Sequence, residues 1–501
     1  MSGQAEALRL RFAEAKAAFR RFWWTRLTRI GRVIAINLVL GLAAWGLLAL
    51  AHGERPLENA RDGLLRWELG LFSGTAAPSE IALIDIDDEA YFRWGSPLVT
   101  PRDKLCRLID FAIRARASVV VVDVDLTSRD PEAAGPGRAV TCDSRDVPDR
   151  HARVSADDVI RSYLADYMRH CRVGGTRCIP VIFAVTPVVR AWTSNDAETR
   201  RPVLSLHPSF LDAEIARGPP AFLGSDSLGQ DPDGVMRRWR PFDPVCLPRP
   251  TALLSVPLLA VAAYERRNLA ALQAQATQTL APICPGPRAS AGYGEDPRLP
   301  MVLDVGYPLE ITATARERQF LYRIGWSEIE HAALPLRIPA AAITDVDPSS
   351  RFRNAALAGT IVVIGGTGPD QPDFHRTPIG LMPGSVVLLN AINAVLHNDR
   401  VKAPSLLSQG LFELATIIVV AVLFAYRHAF VAVALSIALV AVAGLTVGVA
   451  LLDSGSWIDP IAPVLGIGSH QVFSKLFARI EGLTERQDSP QFPSGETEDV
   501  Q

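Results

Sequence analysis

Acidic side chains end two apolar segments of the chain, and they are the first candidates for chemistry: Asp85, Asp87, Asp123 and Asp125. Each segment has the length and the β-branched content of a buried strand. Ligands of open α/β sheets bind beyond the carboxyl ends of strands, and hard cations favour several carboxylate oxygens. The pattern therefore indicates a ligand site or a cation site, with Asp87 and Asp125 as its leading members. The alternative is that these aspartates cap helices and loops, with Asp88 opening the next helix.

A turn motif, Asp231-Pro-Asp-Gly234, precedes the paired residues Arg237 and Arg238. Asp and Pro begin such a bend, and Gly accepts its positive φ. The guanidinium of Arg237 is a candidate for holding an anionic ligand. The alternative is a hairpin with a solvated, charged face.

A glycine-rich segment, Gly365-Gly-Thr-Gly368, follows another apolar segment, and its amides could cradle an anion. No G-K-[ST] pattern is present, so the sequence does not favour phosphate there. Asp373 lies in the next loop with His375 and Arg376. These three residues either complete a ligand site or fill a surface turn.

The sequence carries no familiar catalytic signature. Neither G-x-S-x-G nor H-E-x-x-H occurs, and the nine histidines are scattered. We therefore expect no enzymatic activity and no cofactor, although a catalytic triad is defined by geometry rather than by chain order. The net charge of −2 argues against nucleic acid as a partner.

The segments that must position these residues alternate between strand and helix. A strand at 81–87, a helix at 101–116 and a strand at 118–125 form a β-α-β unit, whose two strands are expected to be neighbours. The predicted class is α/β, with a mixed, largely parallel sheet and loop inserts at 131–154 and 275–300. The other expected elements are strands at 179–185, 235–240, 301–305, 319–324 and 360–365, and helices at 255–272 and 386–396.

All six cysteines lie in this central region, which suggests disulfides in an oxidising compartment. Cys171 and Cys178 could close a small loop, and Cys142 lies in a polar insert. Cys106 lies on an apolar helical face, so it is either bonded or a buried free thiol. Zinc is not favoured, because no C-x-x-C pair is present. The disulfide candidates are Cys142, Cys171, Cys178, Cys246 and Cys284.

Apolar segments flank the central region on both sides. About 20 helical residues cover a bilayer core of about 30 Å, and the segment Val33–Ala51 meets that length. The basic residues before it indicate a cytoplasmic N-terminus, although a cleaved signal peptide is the alternative. The expected organisation is a basic amphipathic cytoplasmic segment at 1–32, a transmembrane helix at 33–51, an extracytoplasmic sensory domain at 52–405, transmembrane helices at 406–426, 430–452 and 457–477, and a disordered cytoplasmic tail at 478–501.

Two ionisable residues fall within the expected spans, where such groups are costly and often functional. Glu413 would lie near the outer interface, and His470 near the inner one. Both are candidates for coupling the membrane helices to a partner. Anchoring at the interface is the alternative for both, and the last span is the weakest of the four.

Six motifs follow one another in a fixed order along the central region. They are Ile84-Asp-Ile-Asp-Asp-Glu89, the β-α-β unit ending in Val122-Asp-Val124, Asp231-Pro-Asp-Gly-Val-Met-Arg-Arg238, Gly359-Thr-Ile-Val-Val-Ile-Gly365, Thr377-Pro-Ile-Gly-Leu-Met-Pro-Gly384 and Asn390-Ala-Ile-Asn393. This order resembles the type-two CHASE domain, an extracytoplasmic sensory module found with cyclases and histidine kinases. The resemblance covers roughly residues 55–404 and extends to the frame of one span before the domain and three after it.

The resemblance implies the input half of a signalling system. Such proteins usually carry an output domain after the last span, whereas residues 475–501 are too few to bury a core. We therefore expect a sensor or receptor subunit of a bacterial inner (plasma) membrane, with both termini cytoplasmic. Its expected partners are the lipid bilayer, an extracytoplasmic ligand, a separate cytoplasmic or membrane signalling partner and, potentially, a second copy of the chain. The alternative is an envelope structural or assembly protein whose exported domain binds another protein.

Overall fold

The structure is a computed structural model. The chain divides into two compact units, one of residues Leu65–Lys402 and one formed by Met1–Leu64 with Ala403–Gln501. The elements below belong to the first unit. The described residues are 80–129, 142, 155–173, 178–193, 200–226, 228–231, 233–247, 251–280, 301–311, 318–320, 322–326, 337–344, 357–368 and 373–397, with isolated positions at 39 and between 411 and 446.

The elements of this unit alternate between strand and helix along the chain. The helices are α1 Asp88–Arg93, α2 Arg102–Arg114, α3 Ala156–Val173, α4 Asp212–Ile215, α5 Val256–Tyr264, α6 Leu269–Leu280, α7 Ala340–Thr344 and α8 Gly384–Leu396. The strands are β1 Ile81–Ile86, β2 Val119–Asp123, β3 Val181–Val185, β4 Val188–Thr193, β5 Arg200–Ser205, β6 Ala221–Ser225, β7 Leu228–Gln230, β8 Met236–Trp239, β9 Phe242–Leu247, β10 Thr251–Leu254, β11 Met301–Asp304, β12 Pro308–Ile311, β13 Arg318–Gln319, β14 Arg337–Pro339, β15 Ile361–Gly366, β16 Phe374–Thr377 and β17 Gly380–Pro383.

A parallel sheet forms the centre of the unit. Its six described strands lie in the order β14-β1-β15-β2-β3-β6, and every neighbouring pair is parallel. Smaller sheets flank it, in the orders β10-β9-β5-β4, β13-β8-β7, β11-β12 and β16-β17, and their pairs are antiparallel apart from β5 with β9. The predicted α/β class with a largely parallel sheet is therefore confirmed.

Both faces of the parallel sheet are buried under helices. Successive side chains of a strand point to opposite faces, so Leu83 of β1 packs with α5 and α8, whereas Ile84 packs with α2 and α3. All six residues of β1 are buried. This two-sided burial explains why the strands are continuous apolar runs rather than alternating ones.

The helices on the two faces differ in character. α2 is amphipathic, and its buried residues follow the helical period from Leu105 to Ala112. α8 is buried from Gly384 to Val395, and α5 is buried over nearly its whole length. The cluster around these two helices also includes Leu303, from outside the parallel sheet. The face of the sheet that α5 and α8 cover is therefore more deeply enclosed than the face that α2 and α3 cover.

The expected pairing of the first two strands is wrong. β1 and β2 are not neighbours, because β15 lies between them and pairs with both. The crossover from β1 to β2 leaves room for one strand between them, and β15, which comes much later in the chain, occupies that position. A local β-α-β pattern does not reveal such a late insertion.

Two further boundaries differ from the sequence prediction. The helix expected at 255–272 is two helices, since α5 ends at Tyr264 and Arg266 adopts the left-handed conformation at φ 61°. α6 then continues to Leu280, into a segment predicted to be a loop.

The strand expected at 319–324 stops at Gln319. Beyond it, the buried Asn390 side chain bonds both the amide and the carbonyl of Ile324, as a neighbouring strand would.

Disulfides connect elements of the unit, as the cysteine pattern predicts. Cys171 and Cys178 are bonded, with their Cα atoms 5.7 Å apart. Cys106 is bonded to Cys142 at a Cα–Cα distance of 5.4 Å, so it is not a free thiol. Cys246 is also disulfide-bonded, and Cys284 lies outside the described residues.

Most residues of the expected membrane segments lie outside the described part of the chain. Within that part, no helix combines the length and apolar character needed to cross a membrane. The basic segment 1–32 and the tail 478–501 are also outside it, as are Glu413 and His470. The arrangement of these segments stays a prediction.

The two disulfides that have both cysteines among the described residues are expected to differ in their contribution to stability. The Cys106–Cys142 bridge spans 36 positions and the Cys171–Cys178 bridge spans 7. Because a larger closed loop loses more unfolded-state entropy, Cys142→Ala should cost about 4 kcal/mol and Cys178→Ala about 2.5 kcal/mol. Urea denaturation of the full-length protein in detergent measures both. Equal losses, or a difference that persists under reducing conditions, would contradict the loop-length argument.

Candidate functional site

The carboxyl ends of the parallel strands meet along one edge of the sheet, which we call the carboxyl edge. Asp123 ends β2, Asp226 follows β6, and Asp85 and Asp87 come at the end of β1. The insertion of β15 places Gly365 and Gly366 between the acidic residues of β1 and those of β2. The carboxyl edge therefore holds two separate groups of carboxylates.

The first group is an ion-pair network around Arg337. Its Nε lies 2.7 Å from Asp85 Oδ2, and its Nη2 lies 3.2 Å from Asp87 Oδ2. The hydroxyl of Thr367 donates to Asp85 Oδ1 at 2.6 Å. Asp87 is also the N-cap of α1, since its Oδ1 accepts from the amide of Ala90 at 2.9 Å. These contacts join β1, β14, β15 and α1, so they hold the strand ends together.

Burial decides the electrostatics of this network. Asp85 is completely buried, and the loss of hydration raises the pKa of its carboxyl above its ordinary value. The Thr367 hydroxyl and the Arg337 guanidinium both act to lower that pKa. The cap role falls to Asp87 rather than to Asp88, and both Asp85 and Asp87 are engaged with partners inside the fold.

A cavity of about 680 Å³ opens on the other side of β15, within the usual range for small-molecule sites. Four carboxylates line it, and its described lining contains no lysine or arginine. Its polar lining also includes Thr186 and His207, and Tyr91 and Trp94 belong to its wall. The carboxylates that line the cavity are Asp123, Asp125, Asp226 and Asp373.

Three of these carboxylates, those of Asp123, Asp226 and Asp373, form a cluster. The pKa of Asp123 is raised to about 8, chiefly by burial and also by the charges of Asp226 and Asp373. Burial also raises the pKa of Asp226 to about 6, although the Thr186 hydroxyl, which donates to its Oδ2 at 2.7 Å, acts in the opposite direction. The cluster thus contains two carboxyl groups that bind protons near neutral pH.

One oxygen of the cluster has an unmet hydrogen-bonding capacity. Oδ1 of Asp226 is buried and has no partner among the described residues. Buried polar atoms are nearly always hydrogen-bonded, so an exception needs an explanation. A donor group of a bound ligand would satisfy this oxygen.

Asp373 reaches the cluster because of the residues around it. Its carboxylate lies against the Cα of Gly384, where any side chain would clash with it. The backbone carbonyl of Asp373 accepts from the amide of Gly384 at 2.8 Å, and His375 Nε2 lies 2.6 Å from Asp373 Oδ1. The first residue of α8 is therefore in direct contact with a wall residue of the cavity.

The glycine-rich segment serves close packing at this edge. A Cβ on Gly365 would meet the Ser385 side chain at 2.6 Å, and Oδ1 of Asp88 lies against Gly368. The hydroxyl of Ser385 donates to the carbonyl of Gly366 at 2.8 Å. These glycines let β15 approach α8 and α1, which is a sufficient reason for their presence.

Asp125 takes part in a local turn at the mouth of the cavity. Its Oδ1 accepts from the amide and the hydroxyl of Thr127, at 2.8 and 2.7 Å. The completely buried Arg102 supports this turn, since its Nη2 donates to the carbonyls of Asp125 and Ser128. Asp125 is exposed and remains accessible from the cavity.

Arg237 lies away from the carboxylates of the cavity. It is buried in the predicted hairpin of β7 and β8, where it pairs with Asp231 at 2.9 Å and with Asp233 at 2.7 Å. The guanidinium lowers the pKa of Asp233. Arg237 is thus internally paired and has a structural role, whereas Arg238 pairs with Asp231 from a half-exposed position.

Sequence reasoning missed several residues of the cavity. Asp226 follows a short strand that contains Gly and Ser, a weaker signal than the continuous apolar runs of β1 and β2. The aromatic and small polar residues of the wall lie in loops or on the short α1 and carry no periodic signal. Among the described residues, no group of three or more His, Cys, Asp or Glu side chains has the arrangement of a metal site.

Comparison with protein families gives a clear result. A family model described as the CHASE2 domain matches residues 36–426. The chain belongs to the CHASE2 family. No curated protein and no solved structure matches the chain. The CHASE2 domain is an extracytoplasmic sensory domain, and the two described disulfides agree with an oxidising compartment.

The Asp85–Arg337 network of the CHASE2 domain should be sensitive to the loss of its cation. Arg337→Met leaves a completely buried carboxylate without its charge partner, so we expect a loss of about 3 kcal/mol. The loss should be larger at pH 8 than at pH 5, because Asp85 can take up a proton at the lower pH. Urea denaturation at both pH values tests this. The double variant Asp85→Asn/Arg337→Met should recover part of the loss, and an equal loss at both pH values would refute the explanation.

The stability of the CHASE2 domain should fall as the pH rises from about 4 to about 8. Asp123 and Asp226 have pKa values of about 8 and about 6 in the folded protein, against an ordinary value of 3.8 for an aspartate. The folded state therefore holds protons that the unfolded chain releases. This contribution to stability is lost as the pH rises through the pKa values of the folded state. Asp123→Asn should flatten the dependence of melting temperature on pH. A variant with the wild-type slope would show that Asp123 does not titrate in this range.

Proposed function

We propose that this CHASE2 protein is a membrane-anchored extracytoplasmic sensor subunit whose ligand binds in the acidic cavity at the carboxyl edge. The buried Asp226 Oδ1, which has no described partner, carries the proposal. A cavity with four carboxylates and no described lysine or arginine attracts positive charge. The ligand is therefore a small molecule with a protonated amine or a similar cationic donor.

The wall of the cavity supports an organic ligand rather than a bare ion. Tyr91 and Trp94 offer aromatic surface, which favours contact with a cationic group. Leu98 and Val99 add apolar surface beside the carboxylates. A wall that combines polar groups with aromatic and apolar surface suits an organic cation. The function is thus recognition, and we propose no enzymatic activity and no cofactor.

A route for the signal begins at the cavity. Asp373 belongs to the cavity wall and contacts Gly384, the first residue of α8. α8 has 13 residues, which corresponds to a length of about 20 Å. It ends at Leu396, ten residues before the segment 406–426, which we propose to be a transmembrane helix. Ligand binding at Asp373 would shift the population of α8 positions and so reach the membrane segments.

Two observations support the membrane anchor. The family match begins at residue 36 and ends at residue 426, so it includes most of the segment 33–51 and all of 406–426. Large apolar side chains at the described positions 411–442 are exposed, including Leu411 and Val442. Exposed apolar surface of that kind favours a lipid environment. We propose that the signal passes from these helices to a separate cytoplasmic or membrane partner.

The second candidate function is an envelope assembly protein that binds another protein. Its support is the exposed apolar surface near the cavity, where Leu98 is 96% exposed and Phe92 is 61% exposed. A partner protein would cover both side chains. This function predicts that binding depends on Leu98 and Phe92 and not on Asp226.

Ligand screening of the full-length protein distinguishes the two functions. In a thermal-shift assay with amines, polyamines, amino acids, sugars and metal salts, an amine should raise the melting temperature in proportion to the logarithm of its concentration. Asp226→Asn should abolish this shift. The matched control is Asp166→Asn, which changes an exposed aspartate on α3 and should keep the shift. A shift that survives Asp226→Asn, or no shift with any compound, would overturn the sensor proposal and favour the assembly function.

A further inference from the structure

A second cleft lies at the opposite edge of the parallel sheet, where the strands begin. Its volume is about 640 Å³, and it is lined by residues that precede β2, β3 and β6, among them Ser118, Ile179 and Pro220. The turn between α5 and α6 forms another part of its wall. We call this space the arginine cleft, after the four residues described next.

Four arginines line this cleft, and its described lining contains no aspartate or glutamate: Arg116, Arg172, Arg266 and Arg267. Arg172 donates to the carbonyl of Arg217, and Arg267 lies 3.1 Å from Asp304. The side chains of Arg116 and Arg266 make no ion pair or hydrogen bond within the described part of the chain. Two guanidinium groups thus remain available to a ligand.

The two available arginines occupy equivalent positions on two different helices. Arg116 follows α2 at φ 64°, and Arg266 follows α5 at φ 61°. The amides of Ala117 and Arg267 bond back to the carbonyls of Ala112 and Ala262, which is the pattern of a Schellman C-cap. Glycine is the usual residue at that left-handed position.

Stabilisation of the helix ends is the simpler explanation for these arginines. A positive charge near a helix C-terminus is favourable, wherever it points. That explanation applies to each helix alone. It does not explain why α2 and α5, which cover opposite faces of the sheet, both end at the same cleft.

One feature independent of Arg116 and Arg266 points to an anionic ligand, and a second holds another arginine in place. Residues 268–270 line the cleft, and Asn268 caps α6, so the amino end of a 12-residue helix lies in the wall. Helix amino ends bind anions through their free amides and their dipole. The Cys171–Cys178 disulfide also lines the cleft and fixes the end of α3 that carries Arg172.

We infer that the arginine cleft binds a phosphate-class anion. Guanidinium groups recognise phosphate through paired hydrogen bonds, and the helix amino end adds amide donors. The anion has two sources, a soluble phosphate compound or the headgroup of an anionic lipid. The chain enters the sheet through the first residue of β1 and leaves through the last turn of α8, both at this edge. The inference does not depend on the cationic ligand proposed for the carboxyl edge.

The test uses the full-length protein in nanodiscs of phosphatidylcholine or of phosphatidylglycerol, with and without inorganic phosphate. If the source is soluble, phosphate should raise the melting temperature in phosphatidylcholine. If the source is lipid, the melting temperature should be higher in phosphatidylglycerol without added phosphate. With a soluble source, Arg116→Gly/Arg266→Gly should need at least ten times more phosphate for the same rise in melting temperature. With a lipid source, the double variant should lose most of the difference in melting temperature between the two lipids.

Glycine is chosen because it suits the left-handed position, so the double variant should keep its fold. The control is Arg93→Gln, which removes an exposed arginine from α1 and should behave as the wild type. The absence of both effects in the wild type would overturn the inference. So would effects that are the same in the wild type and in the double glycine variant.

Discussion

A parallel sheet that is covered by helices on both faces can present polar side chains to solvent only where its strands begin and end. This constraint organises the CHASE2 domain described here. The interiors of β1, β2 and β15 are entirely apolar apart from Asp85, which forms an ion pair with Arg337 and accepts a hydrogen bond from Thr367. The cost of burying an unpaired charge or polar group explains why the remaining carboxylates lie at strand ends.

The two edges of the sheet have opposite electrostatic character. The carboxyl edge collects aspartates whose pKa values are raised by burial and by one another, at Asp123 and Asp226. The opposite edge collects arginines at helix ends, at Arg116 and Arg266. The two proposed ligand sites are therefore separated by the length of a strand, so their ligands would not compete for the same site.

The elements that the sequence predicts correctly are those whose signal is local. The apolar runs of β1 and β2 and the period of α2 depend only on burial, so they are visible without the structure. The place of β15 depends on an interaction between segments more than two hundred residues apart in the chain. Its insertion separates Asp85 and Asp87 from Asp123, and so divides the predicted cluster into a structural network and a cavity. Asp226 completes that cavity from β6, whose strand pattern is too weak to single it out.

α8 joins these features because it is enclosed along nearly its whole length. Its first residue contacts Asp373, Ser385 bonds the end of β15, and Asn390 holds the backbone of Ile324. A helix that is packed on all sides cannot bend freely, so a displacement at one end is accommodated by movement of the whole element or not at all. A packed element with two arrangements is one physical means of coupling distant sites. The cavity and the exit of the chain lie at the two ends of α8, which makes this helix the part of the domain best placed to carry a binding event onward.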